Sequence, residues 1–369
     1  RRAYTVILGT CEVGVGLMVL LMLPFYVRLP YWFNQIAASL ARDSETFGLY
    51  QVSKFMLCAA VMLVPTVLQG ITLPAATGIL SDRLGNLGRR VGLVFAVNTV
   101  GTLVGILSAA FLALPYLGIK GAIETAVAVN MALGIGVLLT EKKRKWKRTA
   151  VGVCSLAALV TVFLYITMMG QWDRQVISSG VFRTRGRIAS YGELVETMRE
   201  RNTLFYRDGV DATVAVQDLP APGAHRVLVI NGKIDASDGT DLVTQKMIGH
   251  LPLFFADGAK DVLIVGVGSG ATIGSALAHD VEKVDVVEIS KDVIEASRWF
   301  AHINGRYWED PRVTVHWEDA KTFLDVTEKK YDVIISEPTN PWIAGVAGVF
   351  STEYFEQCSK KLKRGGLFV

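Results

Sequence analysis

The sequence predicts two structural classes in tandem: a multi-span α-helical membrane domain, then an α/β Rossmann-like domain with a small antiparallel β module at its start. Three observations predict it. Five apolar runs, residues 4–23, 55–80, 91–115, 121–140 and 149–170, each reach about the 20 residues needed to cross a bilayer. After Gln171 no comparable run occurs, and short segments between turn residues take over. From Lys260 strands alternate with helices around a glycine-rich turn.

The first 170 residues are therefore read as about five spans, with the lipid bilayer as their partner. They hold 15 Lys+Arg against 6 Asp+Glu, whereas residues 171–369 hold 23 against 28. The acidic second part argues against a nucleic-acid partner and favours a cationic one. Residues 1–2, 81–90 and 141–148 ("EKKRKWKR") carry 11 basic residues, and the alternate loops 28–50 and 116–120 carry 3. The positive-inside rule puts the first set in the cytoplasm, so the domain after the last span falls outside it. A nucleotide-derived cosubstrate argues for the opposite side, and the sequence leaves the two in conflict. Of the polar residues inside the spans, the amides Gln69, Asn98 and Asn130 are read as interhelical contacts and Glu124 as a span-end residue reaching the headgroups, with a solute path as the alternative, while Glu12 is left open between the two. Gly101 and Gly105 form a small-xxx-small pair suited to helix packing.

The four cysteines, Cys11, Cys58, Cys154 and Cys358, have neither disulfide nor metal-ligand spacing, and no metal is expected. The five histidines form neither a triad nor a metal spacing and are read as surface or packing residues, with His250, in the segment after Gln245, as the one exception. The chain starts at Arg1 and stops where a strand begins, so a fragment truncated at both ends is expected.

Residues 171–202 read as a linker and 203–255 as the antiparallel module, from the strands "TLFYRDG", "ATVAVQD" and "RVLVING". Residues 256–369 read as the nucleotide-binding domain. There "DVLIVGVGSGATIGSAL" gives a buried strand, a turn with Gly266, Gly268 and Gly270, and a helix start. "KVDVVEIS" comes next, with Glu288 placed for a ribose diol. G-x-G-x-G followed by Ala271 favours an S-adenosyl ligand over NAD. Glu318-Asp319 ends the next strand, where such sites hold adenine, and "YDVIISEP" supplies a fourth strand.

The segments "LVINGKIDASDGTDLVTQKMIGHLPL", "VLIVGVGSG", "VVEIS", "EDA" and "YDVIISEPTNPW" together resemble the spermidine/spermine synthase family of aminopropyltransferases. The whole chain resembles bacterial membrane proteins in which a transporter-like helical region precedes such a domain. "GILSDRLGNLGRR" is similar to an interhelical loop of major-facilitator transporters. The resemblance implies aminopropyl transfer from decarboxylated S-adenosylmethionine to a small-molecule amine, in polyamine biosynthesis at the bacterial inner membrane. It implies cosubstrate contacts from Gln245, Gly266, Gly268, Ser269, Gly270, Glu288, Asp319 and Ala320. It makes Glu337 the catalytic carboxylate and assigns the amine to Asn340, Asp235 and Tyr206.

The chain departs from the family where charge matters. Ser269 replaces an Asp that holds the cosubstrate amine, Glu337 replaces the catalytic Asp, and Asn340 replaces a second acid of the same loop. Asp235 stands for a Gln and Thr244 for a Tyr. Three readings therefore stay open: the aminopropyltransferase, a methyl or aminocarboxypropyl transferase using S-adenosylmethionine itself, and a non-catalytic polyamine transporter or sensor. The sequence leaves room for a homo-oligomer.

Overall fold

The computed structural model describes residues 2–40, 45–80, 87–140, 144–168, 172–181, 186–220, 225–337 and 347–369. The chain divides into two compact units, Arg1–Glu196 and Thr197–Val369.

The first unit is helical throughout: α1 (Arg2–Val27), α2 (Leu29–Ser39), α3 (Phe47–Leu80), α4 (Leu87–Ser108), α5 (Leu114–Leu139), α6 (Arg144–Met168), α7 (Arg174–Ile177) and the start of α8 (Tyr191–Arg199). Three helical stretches, Arg2–Val27, Phe47–Leu80 and Gly88–Leu139, are long and apolar enough to cross a membrane, with a shorter apolar helix at Thr149–Tyr165. The two runs expected at 91–115 and 121–140 thus belong to one 52-residue stretch. A π-helical turn, Ala109–Ala113, interrupts it, and Gly118 leaves helical geometry at φ 68°. Glycine alone adopts that φ without steric cost, so the expected loop contracts to a single kink.

α3, α5 and α6 all pack against α1. Val13 and Leu17 bury with Leu138 and Cys154, while Leu20, Leu23 and Val27 bury with Val127. The close approach is made by Gly9 and Gly134. A Cβ on Gly134 would lie 2.7 Å from the Gly9 carbonyl oxygen, so no larger residue fits. A Cβ on Gly101 or Gly105, the expected packing pair, would meet nothing within 4 Å among the described residues. Spacing alone identified them, but contact is decided by which helix face has a neighbour. Of the polar residues in the spans, Glu124, read from sequence as a span-end residue, instead accepts a hydrogen bond from the Tyr165 hydroxyl on α6.

α2 lies in the segment expected to be a loop. Its buried Asn34 donates to the carbonyls of Val181 and Gly186 (3.0 Å each) and accepts from the Ile188 amide (3.1 Å). Gln35 adds a bond to the Ile188 carbonyl at 2.7 Å. These contacts strap the expected linker to α2. The Tyr26 and Trp172 rings stack at 5.9 Å, so the chain leaves α6 at the same end of the unit as the C-terminus of α1.

The second unit opens with an antiparallel meander, β1 (Asn202–Asp208), β2 (Thr213–Asp218), β3 (Arg226–Ile230) and β4 (Lys233–Ser237), in the order β1-β2-β3-β4. Asn231-Gly232, both at positive φ, make the β3–β4 turn. The strands end at Ser237. Residues 242–255, counted in the β module on sequence grounds, form α9 (Leu242–Phe255) instead.

A five-stranded parallel sheet comes next, built from β5 (Asp261–Val265), β6 (Lys283–Glu288), β7 (Val313–Trp317), β8 (Tyr331–Ser336) and β9 (Leu362–Phe368) in the order β7-β6-β5-β8-β9. Its connections carry α10 (Ala271–Leu277), α11 (Lys291–Ala296), α12 (Ala301–Asn304), α13 (Ala320–Val326) and α14 (Thr352–Lys361). This is a doubly wound, Rossmann-like order. It reverses direction between β5 and β8, the switch point where such sheets bind ligands beyond the carboxyl ends of their strands. Near-continuous apolar runs such as Val262–Val265 and Val333–Ile335 reflect burial on both faces. One core joins β5 and β6 to Val214, Val216 and Leu228 of the meander; the other sits under α13 and α14.

Candidate active site

The site is built from the segments at the carboxyl ends of the central strands. After β5, Gly266, Gly268 and Gly270 take φ of 94°, 52° and 79°, values that side chains with a Cβ rarely adopt. A Cβ on Gly270 would also sit 2.8 Å from the Tyr307 ring. Asn304 holds the turn from beneath by donating to the Ser269 carbonyl at 2.9 Å.

Glu288 ends β6 with only 8% of its surface exposed. One oxygen accepts from the Val267 amide and the other from the Ser290 amide, each at 2.9 Å. Burial raises its pKa, the backbone amides oppose the shift, and Asp211 adds to it. The amides of Val267, Ser290 and Ile289 take three of the carboxylate's roughly four acceptor sites, so it is tied to the glycine turn with one site left to accept from a hydroxyl. Beyond β7, Asp319 caps α13 by accepting from the amide and hydroxyl of Thr322 at 3.0 and 3.1 Å through one oxygen. Ala320 behind it is buried.

Beyond β8 stands Glu337, whose backbone carbonyl lies 3.7 Å from where a Gly266 Cβ would be. One of its carboxylate oxygens lies 3.4 Å from the Thr272 hydroxyl. Although the residue is exposed, desolvation raises its pKa above the usual carboxylate value. The Thr272 bond opposes this and the charge of Asp241 adds to it. Along the carboxyl edge of the sheet the order is thus Asp319, Glu288, the glycine turn and Glu337.

Gln245 and Ser269 are brought together but face inward. The Ser269 hydroxyl donates to the Gln245 side-chain oxygen and accepts from the Ala271 amide at 3.2 Å; the residue is 2% exposed. The Gln245 amide nitrogen donates to the Ser237 carbonyl at 3.0 Å and to Asp241 at 2.8 Å. Both amide hydrogens are thereby used within the protein, leaving spare acceptor capacity rather than donors.

The expected amine-binding residues are not gathered in the same way. Asp235 pairs with Lys233 on its own strand. Tyr206 donates to Asp208 at 2.9 Å and packs with Ala215, Val227 and Val229, a cluster separate from the core shared with the parallel sheet. β1 and β4 are opposite edges of the meander, so Tyr206 and Asp235 are held apart. Asn340 and Trp342 lie outside the described residues.

Sequence reasoning missed Asp241 and Thr272. Asp241 occupies the N-cap position of α9, where an acid ordinarily reads as a cap. Its side chain makes no capping bond and turns to Ser237 and Gln245. The available signal was its spacing four residues before Gln245 on one helix face. His250 and His279 contact each other at 2.9 Å between α9 and the end of α10, a packing arrangement away from the strand ends.

Residues 241–369 match the family model of the spermine/spermidine synthase domain. The polyamine aminopropyltransferase of Yersinia pestis (strain Pestoides F) is 32% identical over 171 residues, which are 46% of this chain and 56% of that protein. The polyamine aminopropyltransferase of Serratia proteamaculans (strain 568) is 33% identical over 170 residues, 46% of this chain and 58% of the relative. The chain thus spans a little over half the length of these curated relatives. Among solved structures, a spermidine synthase in complex with the transition state analogue AdoDATO matches at a TM-score of 0.42 and 26% identity, covering 45% of this chain and 56% of that one. Spermidine synthase from Thermotoga maritima matches at 0.41 and 26%, over 45% and 55%. The glycine turn, Glu288, Asp319 and Glu337 all fall inside the matched span, as do Asp241 and Gln245. Asp235 and Tyr206 fall outside it, in the same compact unit but ahead of the matched domain.

Proposed function

We propose that the chain is a membrane-anchored, spermidine synthase-like aminopropyltransferase. The observation that carries this reading is the row of groups on one sheet edge: a glycine turn at the switch point, Glu288 and Asp319 on one side of it and Glu337 on the other. Backbone of the turn approaches the nucleoside, Glu288 accepts from a ribose hydroxyl and Asp319 from the adenine amino group. The cosubstrate is decarboxylated S-adenosylmethionine. The nitrogen of a small amine attacks the methylene carbon beside the sulfonium, a C–N bond forms, and the C–S pair stays on sulfur. Neutral methylthioadenosine leaves. Glu337 takes the proton that the attacking nitrogen must lose, and its raised pKa makes it a stronger base than an ordinary carboxylate. The test is product analysis by mass spectrometry with a panel of diamines and polyamines and both cosubstrates. An aminopropylated amine with methylthioadenosine is the expected outcome; no product from any amine overturns it.

Ser269 favours a second reading. With no acid at that position, S-adenosylmethionine would not have its carboxylate repelled there, and methyl or aminocarboxypropyl transfer follows. Methylated or aminocarboxypropylated products in the same assay would select it.

The membrane reading rests on the three long apolar helices. Since Trp172 stacks on Tyr26 at the end of α1 away from Arg2, the strap leading to the second unit leaves from the face opposite the chain start. Together with the basic loops this favours an extracytoplasmic synthase-like domain. In spheroplasts, external protease should remove that domain; protection until lysis would put it in the cytoplasm.

A further inference from the structure

The family's acid after the second turn glycine is absent here, which raises the question of what attracts a cationic cosubstrate. Ser269 is neutral, buried and committed to Gln245. On the other side of the Gln245 amide, however, lies a carboxylate. Asp241 accepts from the Ser237 amide at 2.9 Å, from the Ser237 hydroxyl, and from the Gln245 nitrogen at 2.8 Å. All three donors are neutral, so they fix the carboxylate without cancelling its charge. Thr272 lies within reach of both this helix and Glu337: its hydroxyl is 3.0 Å from the backbone carbonyl of Gln245 and 3.4 Å from the Glu337 carboxylate. The raised pKa of Glu337 registers Asp241 as one of its causes, consistent with a charge that reaches across the site.

We infer that Asp241 is the specificity-determining anion of this site, supplying from the start of α9 the negative charge that residue 269 lacks and so selecting a cosubstrate with an uncompensated ammonium group. The inference rests on the transferase reading and deepens it. Decarboxylated S-adenosylmethionine carries a sulfonium and an ammonium, S-adenosylmethionine adds a carboxylate, and methylthioadenosine carries no charge. A fixed carboxylate favours them in that order, because each step removes net positive charge from the ligand. Glu337 cannot serve as this fixed charge throughout the reaction, since as base it becomes protonated. Asp241 is instead held in place by its three neutral donors.

The ordering separates a charge effect from a structural one. Calorimetry on the full chain in detergent, with each of the three ligands, is compared for the parent, Asp241→Asn and Asp241→Glu. Asp241→Asn should weaken decarboxylated S-adenosylmethionine roughly tenfold, the scale of one lost charge–charge contact in a partly solvated site. It should leave methylthioadenosine unchanged and place S-adenosylmethionine between them. Asp241→Glu should restore most of the discrimination. Equal weakening of all three ligands would make Asp241 a purely structural support of Gln245, and no weakening would remove it from recognition; either overturns the inference while the transferase reading stands. Failure of the parent to bind any of the three overturns both.

Discussion

Glu337→Gln should lower turnover by about 10²–10⁴-fold, the range typical of removing a general base, while binding of the S-adenosyl ligand stays within about twofold. The substitution keeps the length and shape of the side chain, so the 3.4 Å contact to Thr272 and the carbonyl beside Gly266 are retained. The ability to hold a proton disappears. Stopped assays with the amine in excess, alongside calorimetry, measure the two quantities separately. Undiminished turnover would rule out the base role, and parallel loss of binding and rate would make Glu337 a structural residue.

The pH profile provides an independent check. A base must be ionised to act, so the rate should fall as pH drops through the Glu337 pKa. Desolvation and the neighbouring Asp241 raise that pKa, so the acid limb should lie above the ordinary glutamate value near 4.3. In Asp241→Asn one of the two raising causes is gone, and the limb should move to lower pH. In Glu337→Gln the limb should vanish.

How much of the molecule could be read in advance depended on how local each feature is. Three glycines two apart after a run of buried aliphatic residues announce positive φ, because few other residues tolerate it, and the strand-end positions of Glu288 and Asp319 derive from strand lengths. α2 was invisible because its sequence, with Pro30 in the first turn and Asn34-Gln35 among aromatics, resembles an interfacial loop. Its bonds reach residues about 150 positions away, beyond any local pattern. The same holds for Gly9 and Gly134, which meet across two helices, whereas Gly101 and Gly105 satisfied a spacing rule without having a neighbour among the described residues. Asp241 was overlooked for a third reason: at the head of a helix an acid has an ordinary explanation, and only the direction of its side chain excludes it. Local chemistry thus identified the cradle, and three-dimensional contacts were needed to find which charges surround it.

Asp285 is the largest stability effect expected in the second unit. It sits on β6, 3% exposed, between Val284 and Val286, and a carboxylate there costs several kcal/mol unless it is paired. His316 donates to it at 2.8 Å, Lys329 at 2.8 and 3.1 Å, and the Tyr331 hydroxyl at 3.1 Å. One side chain therefore ties β6 to β7, to the segment after α13 and to the first residue of β8, whose far end carries Glu337. Burial alone would raise the Asp285 pKa; the bonds from His316, Lys329 and Tyr331 outweigh it and hold the group below the usual value. Asp285→Asn keeps the shape but turns an amide toward these donors. Because Lys329 is half exposed and regains water, the expected loss is about 2–3 kcal/mol, at the lower end for a broken buried pair. The sign of the pH dependence is set by the depressed pKa. The contribution is fully present above the unfolded value near 3.9 and is lost as pH falls through the lower folded value. Thermal unfolding of parent and variant should therefore differ by several degrees at neutral pH and converge in acid, once the parent has also lost its charge. A difference that persists undiminished below that range would mean that shape and packing at residue 285 matter, rather than its charge.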